Sequence, residues 1–324
     1  MSTVPKILVT GSIAYDLLLG YEGSFADALR GKSMEDLSVS FFAPHLERHH
    51  GGTGANIAWN LQLLGGDALL VGTVGMDGGS YCALLEERGI DTQHIEQRKD
   101  SVTATAIIGT DSSERQITFF HPGSDGLGTW PDLTDEEIAW AIVSPRNAVL
   151  MMEAVRWCAQ HKIPLLFDPG QQVIALSPDE LRAGITASTG VICNAYEWDL
   201  LQKRTDWNVK ELLKHADYLI VTKGEEGVDL YETGKGGKGS SECTSIAACA
   251  ADRVVNPTGA GDAFRAGLLH GLSHGSDLLH ACRLGASTAS FVVEIEGTLL
   301  DTLDLDALRE RAKQTYGEDL SKIG

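Results

Sequence analysis

No Walker-type GxxxxGK(S/T) run occurs in the sequence, which removes the standard P-loop route to ATP. No apolar stretch is long enough to span a bilayer. The six cysteines, Cys82, Cys158, Cys193, Cys243, Cys249 and Cys282, form no CxxC pair. Their scatter argues against a zinc or disulfide framework and for free buried thiols in a reducing compartment. Met1 to Thr10 holds one lysine and a short apolar run, without the longer core and cleavage site of a signal peptide. The expectation is a cytoplasmic protein. Basic residues are also scarce: 26 Lys and Arg stand against 45 Asp and Glu, a net charge of −19. Such a surface argues against nucleic acid or an anionic membrane as partner. It also means that any phosphate must be held by backbone amides, a helix N-terminus or a metal ion.

What is present is a long α/β pattern. Across 324 residues there is room for one large α/β domain with a smaller insertion. Ile7-Leu-Val-Thr10 and Ala68-Leu-Leu-Val71 read as buried strands, with a helix over Gly54–Gly65 between them and another over Tyr81–Arg88. Later, Leu165-Leu-Phe167, Val191-Ile-Cys193 and Tyr218-Leu-Ile-Val-Thr222 alternate with helices over Asn147–Gln160, Pro178–Ala187 and Tyr196–Lys203. That alternation is the mark of a parallel sheet with helices on both faces. Gly259–His274, Asp277–Glu294 and Leu305–Tyr316 close the chain as helices.

Two segments break the alternation. Residues 13–50 hold β-leaning pieces at Ile13–Leu19 and Leu37–Phe42, and residues 102–121 read as a hairpin of Thr103–Ile108 and Gln116–Phe120. We expect them to pair as a small β lid on one domain covering 1–324. The glycine-rich piece Gly234–Ser241 reads as a hairpin tip.

The strongest chemical signal is Asn256-Pro-Thr-Gly-Ala-Gly-Asp262, which follows the strand-like pair Val254-Val255 and opens a helix at Gly259. Small residues there let the backbone approach a ligand, and the unpaired first-turn amides form an anion site at the positive end of the helix dipole. No basic side chain is needed, which suits the acidic composition. Asp262 reads either as a dipole partner or as a base beside a bound phosphoryl group. On this run alone the two readings stand level. A second glycine loop, Gly51-Gly-Thr-Gly-Ala-Asn56, also feeds a helix. Asn56 reads either as a cap or as a donor to a ligand hydroxyl.

Together the two segments resemble the signatures of the ribokinase family, also called the phosphofructokinase-B family, and the resemblance runs over nearly the whole chain. Asp16 after Gly11-Ser-Ile13 is similar to the family's sugar-contacting Asp, Asn194-Ala-Tyr-Glu197 to its Asn-x-x-Glu motif, and Val221-Thr-Lys-Gly224 with Gly227 to its nucleotide turn. Several stretches look most like bacterial adenosine and nucleoside kinases: Ser38–Phe42, Phe120–Gly123, Phe167–Gln172, Asn194–Leu201 and Gly261–Gly267.

The resemblance implies a ribokinase-like three-layer α/β/α domain with a mostly parallel sheet and a small β lid. It implies transfer of the γ-phosphate of Mg-ATP to the 5′-hydroxyl of a nucleoside, adenosine first. Asp16, Gly52 and Asn56 would hold the ribose, with Ser12 and Ser40 nearby and Phe120 on the base. Asn194 and Glu197 would organise Mg²⁺ and phosphate through water. Thr222, Gly224 and Gly227 would line the ATP site, with Arg265 reaching toward a phosphate. Gly259, Ala260 and Gly261 would form the anion hole, with Asp262 the base. The family's run opens with Asp where this chain has Asn256, which removes a carboxylate near where some members bind a monovalent cation. The exposed lid edge suggests a homodimer. Two rival readings stay open: another acceptor such as inosine, guanosine, cytidine or ribose, and a nucleoside-binding protein without catalysis.

Other signals fail their context. Gly234-Lys-Gly-Gly-Lys-Gly239 fits GxGxxG, but no helix follows it. Gly271-Leu-Ser-His-Gly275 fits GxSxG at the end of a helix and so makes no nucleophile elbow. His49-His50 lack further ligands at metal spacing, and Trp59, Trp140, Trp157 and Trp198 read as core.

Overall fold

The computed structural model describes residues 4–30, 38–233 and 241–317. In chain order the strands are β1 (Lys6–Thr10), β2 (Ala14–Gly20), β3 (His45–Gly51), β4 (Asp67–Val74), β5 (Ile95–Gln97), β6 (Ala104–Thr110), β7 (Gln116–His121), β8 (Ile138–Val143), β9 (Leu165–Phe167), β10 (Gly190–Asn194), β11 (Tyr218–Thr222), β12 (Val228–Thr233) and β13 (Ser241–Ile246). Among the described residues they form a large sheet in the order β13-β12-β11-β10-β9-β8-β1-β4-β5 and a small one in the order β3-β2-β6-β7. The large sheet is parallel from β5 to β11, and only the β11–β12 and β12–β13 pairings are antiparallel, so β12 alone is reversed.

The central strands of the large sheet are buried on both faces, so β1, β4, β9, β10 and β11 are mostly apolar. In β1, Ile7 and Val9 join a core under the Thr53–Leu63, Ala260–Ser273 and Leu278–Val292 helices. Leu8, between them, joins the opposite core under Ala148–His161, Pro178–Ala187 and Ala195–Thr205. The result is the three-layer α/β/α arrangement that the ribokinase resemblance implies. The four tryptophans belong to this packing. Trp59 and Trp198 are buried, and Trp140 and Trp157 pack half-buried against the two cores.

The small sheet is built from the two irregular segments, and β2 and β6 join them side by side in parallel. Its outer strand differs from expectation. Ser38–Phe42 forms no strand, and Leu37 lies outside the described residues; the strand is instead His45–Gly51. It is charged and exposed along most of its length, so only pairing with β2 defines it. β8, β12 and β13 are further strands that the sequence pattern does not announce. Val254-Val255 is not a strand; that stretch is held by Val255 and Asn256 amides that donate to the Val293 carbonyl at 2.7 and 3.1 Å. The glycine-rich tip at 234–240 lies outside the described residues. Cys243, on β13, is exposed rather than buried. No helix among the described residues is long and apolar enough to cross a membrane.

Candidate active site

The carboxyl ends of the parallel strands gather the polar residues. Ser12 follows β1, Ser144 follows β8, Asp168 follows β9, and Asn194 and Thr222 end β10 and β11. Parallel α/β sheets bind ligands beyond this edge. A cleft of about 910 Å³ opens there, lined by Asp168, Asn194, Glu197, Thr222, Gly227 and Asp262 among others.

Asp262 lies in the first turn of the Ala260–Ser273 helix. The N-cap is Gly259 with φ +84°, a conformation that disfavours side chains, and no side chain caps the helix. A Cβ on Gly259 would fall 2.9 Å from Thr298 Cβ, so the loop is also closely backed. The Thr53–Leu63 helix packs beside this one, which brings the two glycine loops together. Its N-cap is Gly52 with φ +94°; Asn56 therefore does not cap it. Instead, Asn56 Nδ2 donates to Asp262 Oδ2 at 2.7 Å, and Asn56 Oδ1 accepts from Thr298 Oγ1 at 2.9 Å. Burial pushes the Asp262 carboxyl up to about 6. Arg265 and the Asn56 hydrogen bond oppose that rise, while Asp168 and Asp16 add to it.

Arg265 is held at the cleft wall. Its Nε and Nη2 donate to Asp168 Oδ2 and Oδ1 at 2.6 and 2.7 Å, and its Nη1 donates to the Gly261 carbonyl at 2.9 Å. Burial works against the charge, but Asp168 outweighs it and raises the Arg265 pKa. The guanidinium expected to reach toward a phosphate is thus first a clamp between Asp168 and the Gly261 backbone. Ser144 Oγ donates to the same Asp168 carboxylate at 2.9 Å. Sequence alone assigns Asp168 no role. Its signals are an acid placed directly after a fully apolar strand and its position in the Phe167–Gln172 stretch. Thr298 has no signal at all.

Across the cleft, Asn194 and Thr222 stand side by side in the β10–β11 register. Asn194 and Glu197 form a capping box: the Glu197 amide donates to Asn194 Oδ1 and the Asn194 amide to Glu197 Oε2, both at 2.8 Å. Burial raises the Glu197 pKa, and Asp168 adds to it. Gly224 and Gly227 make the turn after β11. A Cβ on Gly227, whose φ is +92°, would fall 2.1 Å from the Ile246 carbonyl. Among the described residues no three His, Cys, Asp or Glu side chains lie close enough to hold a metal directly. The Glu197 carboxylate in the cleft lining would suit Mg²⁺, which keeps several waters and needs only one or two carboxylates beside a ligand's phosphates.

On the other side of Asp262 stands the small sheet. Ser12 fastens the Asn56 loop, since Thr53 and Gly54 amides donate to its Oγ and carbonyl at 3.2 and 3.0 Å. Asp16 pairs with His49 and Ala106, and Ala106 pairs with Phe120. Residues in register share a face, so Asp16 and Phe120 lie on one side of this sheet. The Asp16 carboxylate covers Gly51, leaving no room for a Cβ there, and burial raises its pKa while His49 opposes. Phe41 does not join Phe120. It packs edge-on against Tyr21 and Phe25, with ring centroids 5.0 Å apart. Phe25 sits over Gly109, on the opposite face. Ser40 is exposed.

A three-layer fold with an uncapped glycine-lined helix start, a partnered acid and a second glycine loop defines a kinase of the ribokinase type. The chain belongs to the pfkB family of carbohydrate kinases, which matches residues 5–304. It is thus a phosphotransferase acting on a hydroxyl group. It is similar to the nucleoside kinase of Methanocaldococcus jannaschii, at 28% identity over 95% of this chain and 97% of that one. It is also similar to the Burkholderia thailandensis nucleoside kinase in complex with inosine, with TM-score 0.85 and 33% identity over 97% of this chain and 99% of that one. The same enzyme in complex with ADP and inosine gives TM-score 0.80 at 32% identity, over 97% of each chain.

Proposed function

We propose that this chain is an ATP-dependent nucleoside kinase that phosphorylates the 5′-hydroxyl of a purine nucleoside. The observation that carries the reading is the Asn56–Asp262 hydrogen bond, 2.7 Å long, at the junction of the cleft and the small sheet. Asp262 takes the 5′-hydroxyl proton as that oxygen attacks the γ-phosphorus. The bond from the γ-phosphorus to the β–γ bridging oxygen breaks, and ADP leaves. The amides at Gly259, Ala260 and Gly261 receive the charge of the transferring group, that of Ala260 leaving its 3.3 Å bond to the Pro257 carbonyl. Asn56, Asp16 and Gly52 hold the ribose, Ser12 shapes their loop, and Phe120 stacks on the base; Ser40 approaches only with the sugar bound.

ATP lies along Thr222, Gly224 and Gly227. Glu197, with Asn194 and Asp168 nearby, would hold Mg²⁺ through water, and the ion would supply charge neutralisation for the phosphates. The two terminal nitrogens of Arg265 each keep a second N–H for the phosphates. Residues 1–324 act as one catalytic domain, and the small sheet serves as a lid that excludes water. Its free edge is the surface for a homodimer.

Adenosine is the acceptor that the sequence resemblance favours. Inosine is the second reading, favoured by the inosine complexes of the Burkholderia enzyme. A coupled ADP-release assay over adenosine, inosine, guanosine, cytidine and ribose tests both, with the product identified as the 5′-phosphate. Turnover of a purine nucleoside well above ribose supports the proposal. Turnover of ribose alone overturns it.

A further inference from the structure

We propose that Thr298 is a positioning residue whose hydroxyl fixes the direction of the Asn56 carboxamide and, through it, the catalytic base. The inference rests on Asp262 being that base.

Thr298 sits in the irregular segment after the Leu278–Val292 helix and is almost fully buried. Its Oγ1 lies 2.9 Å from Asn56 Oδ1 and 3.2 Å from the His50 carbonyl. Both neighbours are acceptors without a proton, so Thr298 is the donor, and the carboxamide oxygen is the nearer target. An Asn side chain has two faces of opposite character. With Oδ1 held by Thr298, Nδ2 must point at Asp262 Oδ2, where it donates at 2.7 Å. The flipped carboxamide would set an oxygen against the carboxylate and leave the Thr298 hydroxyl facing an NH2 group.

The rest of Asn56 is already fixed. Its amide donates to the Gly52 carbonyl at 2.9 Å, and its carbonyl accepts from Asn60 Nδ2 at 2.8 Å. Rotation of the carboxamide is the freedom that remains, and Thr298 removes it. The same residue touches two more working parts. Its hydroxyl also approaches His50, near the end of β3 in the small sheet, and its methyl side backs Gly259 at the anion hole. The hydroxyl and the methyl therefore make separable claims. The groups that face Asp262 are Asn56, Arg265, Asp168, Asp16 and the Tyr81 phenol. Of these, Asn56 is the one that Thr298 hydrogen-bonds.

Three variants separate the claims: Thr298→Val keeps the shape without the hydroxyl, Thr298→Ser keeps the hydroxyl without the methyl, and Thr298→Ala has neither. Each is measured for kcat and KM against pH, with adenosine and inosine as acceptors and Asp262→Asn as control. Loss of one buried hydrogen bond predicts that Val and Ala lower kcat about tenfold. KM for ATP stays unchanged, and the acidic limb of the profile moves to higher pH, because a loosened Asn56 stabilises the carboxylate less. Thr298→Ser keeps the parent profile. The inference is overturned if Val matches the parent, or if Ser and Ala fail together while Val does not, which would assign the effect to the methyl. An active Asp262→Asn overturns the base reading itself and is told apart from those outcomes. Should one variant not fold, the remaining pair still divides hydroxyl from methyl.

Discussion

Asn56 Nδ2 lies 2.7 Å from Asp262 Oδ2, joining two glycine loops 206 residues apart in sequence. Neither loop alone decides between a cap and a functional site. Joined, they place a buried carboxamide against a carboxylate at an uncapped helix start. On the proposed reading, a chain of net charge −19 would meet phosphate with backbone amides, since Arg265, the cation lining the cleft among the described residues, is matched by Asp168.

The first prediction concerns pH. A base must be ionised, and burial has pushed Asp262 up to about 6. The kcat/KM of the parent should be level above that value and fall about tenfold for each pH unit below it. The same shift has a sign for stability. A carboxyl whose folded pKa is raised is destabilising when ionised; the cost appears as pH rises from the ordinary carboxylate range and is full above about 6. Asp262→Asn should therefore melt a few degrees higher than the parent at about pH 8 and lose that advantage below about pH 4. Thermal unfolding at the two pH values checks it.

The buried ion pair gives a second prediction. Asp168 is fully buried and Arg265 nearly so. Removing the acid in Asp168→Ala strands a buried guanidinium and should lower unfolding stability by about 3–5 kcal/mol in urea titrations. Replacing both partners, as Asp168→Leu with Arg265→Met, should recover much of that loss while leaving the chain inactive.

Much of this was legible in the sequence, and the failures have physical causes. Strands buried on both faces, such as β1, β4 and β11, announce themselves as short apolar runs. Both glycine loops do so through composition. β3 does not, because His45-Leu-Glu-Arg-His-His50 is mostly exposed and becomes a strand only by pairing with β2. β13 is a polar edge strand and equally silent. β8 is apolar, but six such residues between acids and Pro145 fit a buried helix segment as well as a strand. In the site, the contacts of Asp168 and Thr298 do not show in the sequence because their partners, Arg265 and Asn56, lie 97 and 242 residues away.

Alternation in the small sheet gives a third prediction. Phe120 shares a face with Asp16, whereas Phe119 points the other way and is largely exposed. If Phe120 stacks on the base, Phe120→Ala should raise the nucleoside KM about tenfold and leave the ATP KM alone. Phe119→Ser should change neither. Steady-state kinetics with each substrate varied in turn distinguishes the two faces, and equal effects from both variants would count against the register argument.

The most direct test of the account is the Asp262→Asn chain, followed by titration calorimetry with the nucleoside and by ADP release. Nucleoside binding should remain close to that of the parent, since Asn56 can still donate to the Asn side chain, while turnover should drop by about 10²–10⁴-fold. Turnover within a few-fold of the parent would contradict the central claim that Asp262 is the base.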